Sequence, residues 1–427
     1  MPIFQPMINF CKSHGPIVRI AANKVAVNSV RDIQEIYKGH TYRKSDWYKG
    51  FTFGGLHNNF STDDPKFHAF VNKWSAPPFR KENLIKGEPA ARRILNQFTH
   101  RVRSSGPILE TVGLFRLLAL DMYVGWEQLF WAATFDRLKR DIDKFMMDKQ
   151  LVNYLPGFVY WILTLLPIKP LRDIFESGPR FLKYAAALYS DAGSEEETDD
   201  QLNILSNLKN FVDPKTGESP PENLVISQAA AFLFAVTGAD TTTVSLVYII
   251  WEISRSPTVY ATLRKALEET IPDSAVIPGA QELKDIPYLA AVIKEGLRVW
   301  APGQSLLERV VPAVGAVHEG YFLPGGTVIA AQSWSAHRRQ ATFPDPDVFR
   351  PERWLKETNG KQEVAEDADM AATYYPFGTP SHFWLAHRDP HRTVYGYGRM
   401  NYGHYGCPAV RNRNRKLASR GPYGTHQ

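Results

Sequence analysis

The stretch that most constrains this chain runs from Ala229 to Trp251, AAAFLFAVTGADTTTVSLVYIIW. It is apolar almost all round, and a helix of that texture belongs in the core of a large protein. At its midpoint stand Gly238, Asp240 and three consecutive threonines, Thr241, Thr242 and Thr243. In a helix interior Gly costs about 1 kcal/mol against Ala, and Thr somewhat less. A core element that breaks the local rule at one point usually does so for a site. The competing reading is a kink whose threonines bond back to the preceding turn.

The chain around it has 427 residues, 44% of them hydrophobic and 22% charged, with no Gly/Ser-rich or Pro-rich linker. One large domain is therefore expected. Cys11 and Cys407 lie near opposite ends and make neither a metal-finger spacing nor a disulfide framework. No run approaches the 18 or so apolar residues that span a bilayer, and the first twenty residues do not read as a signal peptide. The net charge of +6 suggests nucleic acid until it is located. Residues 380–427 hold seven Arg and one Lys against Asp389 alone. That surplus of +7 leaves −1 for everything before it, so a basic nucleic-acid-binding fold is excluded.

The order of elements follows from pattern. Within residues 14–27, His14–Ile20 and Lys24–Val27 read as two short strands around a turn, and Ser29–Tyr37 as a helix. Asp63–Leu84 reads as a charged amphipathic helix with His68, Lys73 and Trp74. Lys86–Gln150 has helical period, with an apolar face through Leu114, Leu117, Leu118, Met122 and Val124. Leu155–Pro167 is apolar and too short to cross a bilayer, so it is core or an interfacial patch, and core is the preferred reading. Ser194–Asp200 is an acidic loop. Ser256–Thr270 and Leu283–Trp300 are further helices. Beyond Pro302 come short strands: Val310-Val311, then Tyr321–Leu323 and Thr327–Ile329 with a Pro324-Gly325-Gly326 turn between them. The expected class is mainly α with a minor β portion.

Three later segments carry chemistry. In Glu295-x-x-Arg298 the two charges share a helix face, though a lone pair of this kind is most often a surface ion pair worth little. Phe343–Trp354 is a Pro-punctuated loop that sets Arg353 among aromatics, and Tyr374–Thr379 is a turn with an aromatic anchor. Each signal is weak alone.

In their order and spacing they resemble the cytochrome P450 family, the haem-thiolate monooxygenases. The matching text is Gly238-Ala239-Asp240-Thr241-Thr242, Glu295-x-x-Arg298, Phe349-Arg350-Pro351-Glu352-Arg353-Trp354 and Pro376-Phe377-Gly378-Thr379, with Arg309-Val310-Val311-Pro312 and Ala336-His337 between them. The wording is most similar to fungal members of secondary metabolism; the likeness covers roughly residues 12–379, with residues 1–379 forming one domain. It implies the P450 fold and a haem b cofactor. It also implies insertion of one oxygen atom from O2 into a hydrophobic small molecule, with electrons from a separate NADPH-cytochrome P450 reductase. By the same resemblance Asp240 and Thr241 form a proton relay, since a carboxylate beside a hydroxyl in a dry pocket can pass protons. Gly238 lets the helix approach a flat porphyrin. Glu295, Arg298 and Arg353 make a charged triad near the haem loop, which begins at Phe377. His68, Lys73 and Arg309 are partners for the haem propionates, which want cationic donors.

The pattern departs from the family after Thr379. The loop should reach a cysteine whose thiolate holds the iron, and Trp384 occupies that position. From Ser381 to Gln427 there are only four Leu, Ile or Val residues, the loss of core text that a shifted reading frame or mis-spliced exon would produce. Residues 380–427 then form a basic, irregular tail. The alternative ligand is Cys407, in Gly403-His404-Tyr405-Gly406-Cys407-Pro408-Ala409. Cys11 precedes the first strand and is not a candidate. A chain without the ligand would be a non-catalytic remnant. The family's N-terminal anchor is missing ahead of Gly15, so an endoplasmic-reticulum location implied by resemblance competes with a cytoplasmic one. Any peripheral membrane contact falls to Leu155–Pro167.

Overall fold

The computed structural model of the chain describes residues 15–37, 39–105, 109–124, 134–192, 204–235, 241–271, 277–304, 306–358 and 360–376. Two antiparallel strands open it, β1 (Ile17–Ala21) and β2 (Lys24–Val27), followed by helix α1 (Val30–Tyr37) and the two-residue strand β3 (Arg43–Lys44). The single helix expected over Asp63–Leu84 is broken. It consists of α2 (Pro65–Ser75), a 3-10 turn at Pro77–Phe79 and the short α3 (Lys81–Lys86), because Pro77 and Pro78 offer no amide hydrogens to continue the ladder. Asp64 caps α2 by accepting from the Lys66 amide at 2.8 Å, with Pro65 at the first helical position.

Three long helices take up the next stretch, α4 (Glu88–Ser104), α5 (Thr111–Val124) and α6 (Thr134–Tyr154). Leu114, Leu117 and Leu118 are buried as the apolar period requires. Helices α7 (Gly157–Leu165), α8 (Lys169–Phe175), α9 (Ser177–Asp191) and α10 (Ile204–Lys209) follow. The preference for core at Leu155–Pro167 is overturned: α7 buries no residue. Phe158, Trp161, Ile162 and Leu165 are all exposed. The helix is apolar on every side but meets the body along only one, so length and composition could not place it.

The central stretch comprises α11 (Glu222–Ala235) and α12 (Thr241–Arg255), with residues 236–240 between them outside the described residues. Beyond it run α13 (Pro257–Thr270), α14 (Ala280–Lys284) and α15 (Pro287–Val299). Helix α15 is buried almost throughout and crosses α12 closely. A Cβ built on Gly296 would lie 2.2 Å from Ile249 Cγ1, so this glycine sets how near the two helices come.

The remaining strands are β4 (Arg309–Val310), β5 (Ala316–His318), β6 (Tyr321–Leu323), β7 (Val328–Ala331), β8 (Leu355–Thr358) and β9 (Lys361–Val364). The main sheet has the order β1-β2-β7-β4-β3, with β2 and β7 parallel and the other pairs antiparallel. Tyr321–Leu323 does not pair with Val328–Ala331 across the Pro324-Gly325-Gly326 turn. It forms a hairpin with β5 through Glu319 and Gly320, whose φ angles of 50° and 81° are those a two-residue turn demands. One apolar core fills the helical body around Trp74, Phe98, Phe145, Phe181 and Phe232, and a second lies beneath the sheet around Ile33, Tyr37 and Ile329.

Helix α15 and the segment ending at Trp354 meet on Glu295. Arg298 grips its carboxylate with two hydrogen bonds, Nε to Oε2 and Nη2 to Oε1, both 2.9 Å. Arg353 Nε adds 3.1 Å to Oε1, Trp354 Nε1 2.9 Å to Oε2 and the Arg350 amide 2.8 Å to Oε1. Glu295 and Arg298 are wholly out of solvent. Burial pushes the Glu295 carboxyl up, but the Arg298 hydrogen bonds and the charges of Arg298 and Arg353 outweigh it and hold the group below its ordinary range. Arg298 also donates to the His337 carbonyl at 2.7 Å. The Tyr375 amide donates to His337 Nε2 at 3.0 Å, so Nδ1 carries the proton and donates to the Arg298 carbonyl at 3.1 Å. The Phe343–Trp354 loop is thus no solvent loop, for Phe343 and Trp354 are fully buried.

Two outcomes follow from these contacts. Glu295→Ala strands two guanidinium groups and lowers the unfolding free energy by about 3–5 kcal/mol, read from urea denaturation; a loss below about 1 kcal/mol contradicts this account. Burial, first, and the Arg298 charge lower the His337 pKa from 6.5 to about 3. The unfolded chain therefore binds more protons between those values, and stability falls as pH drops through that window. The share lost through His337 by pH 5 is on the order of 2 kcal/mol, measured as the difference in acid slope between the wild type and His337→Gln.

Candidate functional site

Strands β3 and β4 pair so that Lys44 stands directly opposite Arg309. Directly opposed residues of an antiparallel pair share one face with their Cβ atoms about 5 Å apart, and like charges there repel. Both have been drawn off the solvent. Arg309 is buried, and its guanidinium lies over the rings of Tyr37 and Tyr48 at 5.1 and 5.4 Å. The half-buried Lys44 holds its ammonium 5.4 Å from the Tyr48 ring and 5.8 Å from Phe60. Each cation is only partly satisfied. Arg309 Nη1 donates to Tyr48 Oη at 2.9 Å and to the Glu308 carbonyl at 2.8 Å, but its buried Nε–H has no acceptor among the described residues. Lys44 donates to the carbonyls of Asn59 at 3.1 Å and Phe60 at 2.7 Å. Among the described residues neither cation is ion-paired with a carboxylate. Glu308, beside Arg309, is taken by Lys24 and Ser45 at 2.6 and 2.7 Å.

His68 on α2 completes the cluster. It lines the same open cavity as Lys44, with His40, Tyr42, Asp63 and Asp64 among the other walls. Burial, then the Lys44 charge, then His40 lower its pKa to about 4. Burial, then the Arg309 charge, lower that of Lys44 to about 7 against the pull of Asp63. Lys44 is thus flanked by Arg309 across the strand pair and by His68 in the cavity wall, where Asp63 is the opposing charge.

Of the residues expected to meet propionates, Arg309 stands opposite Lys44 in the sheet and His68 lines a cavity with Lys44. Lys73 is engaged elsewhere, in an ion pair with Asp213. Glu295, Arg298 and Arg353 converge as described above. Thr241 begins α12 half-buried, and its carbonyl accepts from Ser245 Oγ at 2.9 Å. Gly238, Asp240, Phe377, Trp384 and Cys407 lie outside the described residues. Lys44 is the member that sequence reading missed. The basic pair Arg43-Lys44 is visible ahead of the aromatic run, but its juxtaposition with Arg309, more than 260 residues away, exists only in the sheet.

Comparison with known proteins identifies the family. The family model described as Cytochrome P450 matches residues 1–381. Pisatin demethylase of Fusarium vanettenii is 28% identical over 369 residues, covering 83% of this chain and 70% of that protein. Cytochrome P450 monooxygenase orf2 of Aspergillus niger is 28% identical over 386 residues, covering 87% and 74%. Cytochrome P450 monooxygenase stcB of Emericella nidulans is 26% identical over 387 residues, covering 86% and 70%. Members of this family are haem-dependent oxidoreductases that work with a redox partner, O2 and hydrophobic substrates. With a mainly helical body, a small mixed sheet and a family match over most of its length, the chain belongs to the cytochrome P450 family.

Proposed function

We propose that the chain binds haem b and acts as a monooxygenase on a hydrophobic small molecule of secondary metabolism. The observation that carries this reading is the like-charge pair of Lys44 and Arg309, opposed across β3 and β4 and, among the described residues, ion-paired with no carboxylate. A buried guanidinium Nε–H without an acceptor among the described residues and a lysine driven toward neutrality are costly features. The carboxylate edge of a porphyrin relieves both by accepting charge-assisted hydrogen bonds. The residues present fit the group.

In this reading Arg309 and His68 hold the propionates, and the Glu295–Arg298–Arg353 triad fixes the loop that leads to the iron ligand. Gly238 leaves room beside the porphyrin plane. Asp240 and Thr241 pass protons inward, the carboxylate holding a proton and the hydroxyl handing it on. When bound, haem supplies the iron at which O2 is reduced and one oxygen atom is transferred. Electrons come from a separate NADPH-cytochrome P450 reductase. Cys407 is the ligand this chain offers, since an indole at Trp384 cannot bind iron.

Helix α7 supports a membrane-surface placement. Phe158, Trp161, Ile162 and Leu165 stand exposed on one short helix, followed by the exposed Lys169 and Arg172. An apolar helix with aromatic residues and basic flanks lies in a bilayer interface rather than across it. Among the described residues no helix is long and apolar enough to cross a membrane.

Reduction and exposure to carbon monoxide test the haem reading. The purified protein should give the Soret band of a thiolate-ligated complex, and Cys407→Ser should abolish it. A thiolate band that survives the substitution rules out Cys407, and a protein that takes up no haem rules out the monooxygenase. Flotation with phosphatidylcholine vesicles tests the surface. The wild type should rise with the lipid, and Phe158→Ser with Trp161→Ser should lower the bound fraction at least severalfold. Equal flotation of both proteins removes α7 from the interface.

A further inference from the structure

We infer that Asp32, Glu35 and His318 form a site for a divalent metal ion of the zinc type, which clamps helix α1 to the β5–β6 hairpin. The inference does not rest on the haem reading.

Sequence and topology bring the donors together. Asp32 and Glu35 stand three residues apart on α1 and share a face. His318 is the last residue of β5, immediately before the turn at Glu319 and Gly320. One ligand atom from each of the three residues lies within 4.8 Å of the other two. Zinc holds oxygen and nitrogen ligands at about 2.0–2.2 Å, so two such atoms stand no more than roughly 4.4 Å apart. Glu35 is exposed, and a small movement of its side chain meets that limit. An imidazole among carboxylates suits zinc better than calcium or magnesium, which prefer oxygen alone.

The hydrogen bonds of the cluster leave a place for a cation. Asp32 Oδ1 lies 2.9 Å from His318 Nδ1, and His318 Nε2 lies 2.9 Å from Tyr42 Oη. Tyr42 Oη donates to Glu35 Oε1 at 3.3 Å. Each of these three contacts needs a proton, but a neutral imidazole and a phenol supply only two. With Tyr42 donating to Glu35, His318 Nε2–H donates to Tyr42, and Nδ1 turns a bare lone pair toward the Asp32 carboxylate. A metal ion there accepts both lone pairs, and Tyr42 becomes the outer partner that fixes the tautomer of a ligating histidine.

A second proton on the ring would also close this chain, but it would leave the other Asp32 oxygen unanswered. Asp32 is only 2% exposed, and its Oδ2 accepts no hydrogen bond among the described residues. A buried carboxylate oxygen without a partner is costly. Burial pushes the Asp32 carboxyl up, yet the His318 hydrogen bond leads the effects that outweigh it and hold the group below its ordinary range. The Glu319 side chain acts on Asp32 as well, a third carboxylate beside one imidazole.

The full chain, stripped with a chelator, is titrated with zinc chloride against a chromophoric competitor, and hydrogen–deuterium exchange locates the ion. Zinc should slow amide exchange across α1 and β5–β6 severalfold in the wild type. Glu35→Gln alters one exposed side chain; in this variant the zinc-induced protection should vanish. Tyr42→Phe removes only the outer partner and should weaken zinc binding by about tenfold or more. Calcium chloride at the same concentration should protect neither segment. Equal zinc affinity and equal protection in the wild type and Glu35→Gln overturn the site. Zinc uptake without protection of α1 and the hairpin also overturns it, since the ion then sits on side chains elsewhere. Equal protection by calcium overturns a site selected by imidazole.

Discussion

The structure depends on one carboxylate. Glu295 sits on a helix buried on nearly every side, and it is met by groups from the same helix, from the loop after it and from the 3-10 turn at Pro351–Trp354. Taking that charge out of water is expensive, and only a full shell of charge-assisted donors offsets the cost. The shell in turn dictates where Arg298, Trp354 and His337 stand. Through the Tyr375 amide, which donates to His337, the same network reaches the last described turn of the chain. What looks like a local ion pair organises some eighty residues.

Around this network lie groups that cost stability rather than add to it. Lys44 opposite Arg309 is a like-charge pair on one sheet face. The α7 helix turns aromatic residues outward. Residues that break a local rule without a compensating partner tend to mark functional surfaces. Here the two kinds of violation are of opposite character, one electrostatic and inward, the other apolar and outward. That separation is what a protein would show if it held a charged cofactor within and met a nonpolar phase outside.

How much of this could be read beforehand depended on the range of the interaction. Helical period and Pro punctuation located α4, α13 and α15, because amphipathic patterning is a property of a dozen neighbouring residues. The Glu295 to Arg298 spacing was visible for the same reason, whereas Trp354 and the Arg350 amide joined it only through folding. The break at Pro77 was legible in retrospect from two adjacent prolines. Exposure of α7 was not, since an all-apolar segment carries no sign of which side is covered. Nor was the Lys44–Arg309 pairing, because strands of two residues leave almost no pattern and register is set by the sheet. Lys73 is an anion partner by family resemblance, yet Asp213, remote in sequence, claims it.

The parallel pairing of β2 with β7 has a consequence in time. Val25 and Ala26 find their partners at Ile329 and Ala330, so the sheet cannot close until nearly the whole helical body has been made. At typical synthesis rates the first strands wait roughly 15–60 s for that partner. Through that interval β1 and β2 form a hairpin with one edge unfilled, and two-stranded ribbons are marginal on their own. An open edge is also a template for pairing with another chain. The chain's beginning is thus the part that a ribosome-associated chaperone would have most reason to cover, and β7 is the segment whose emergence would release it.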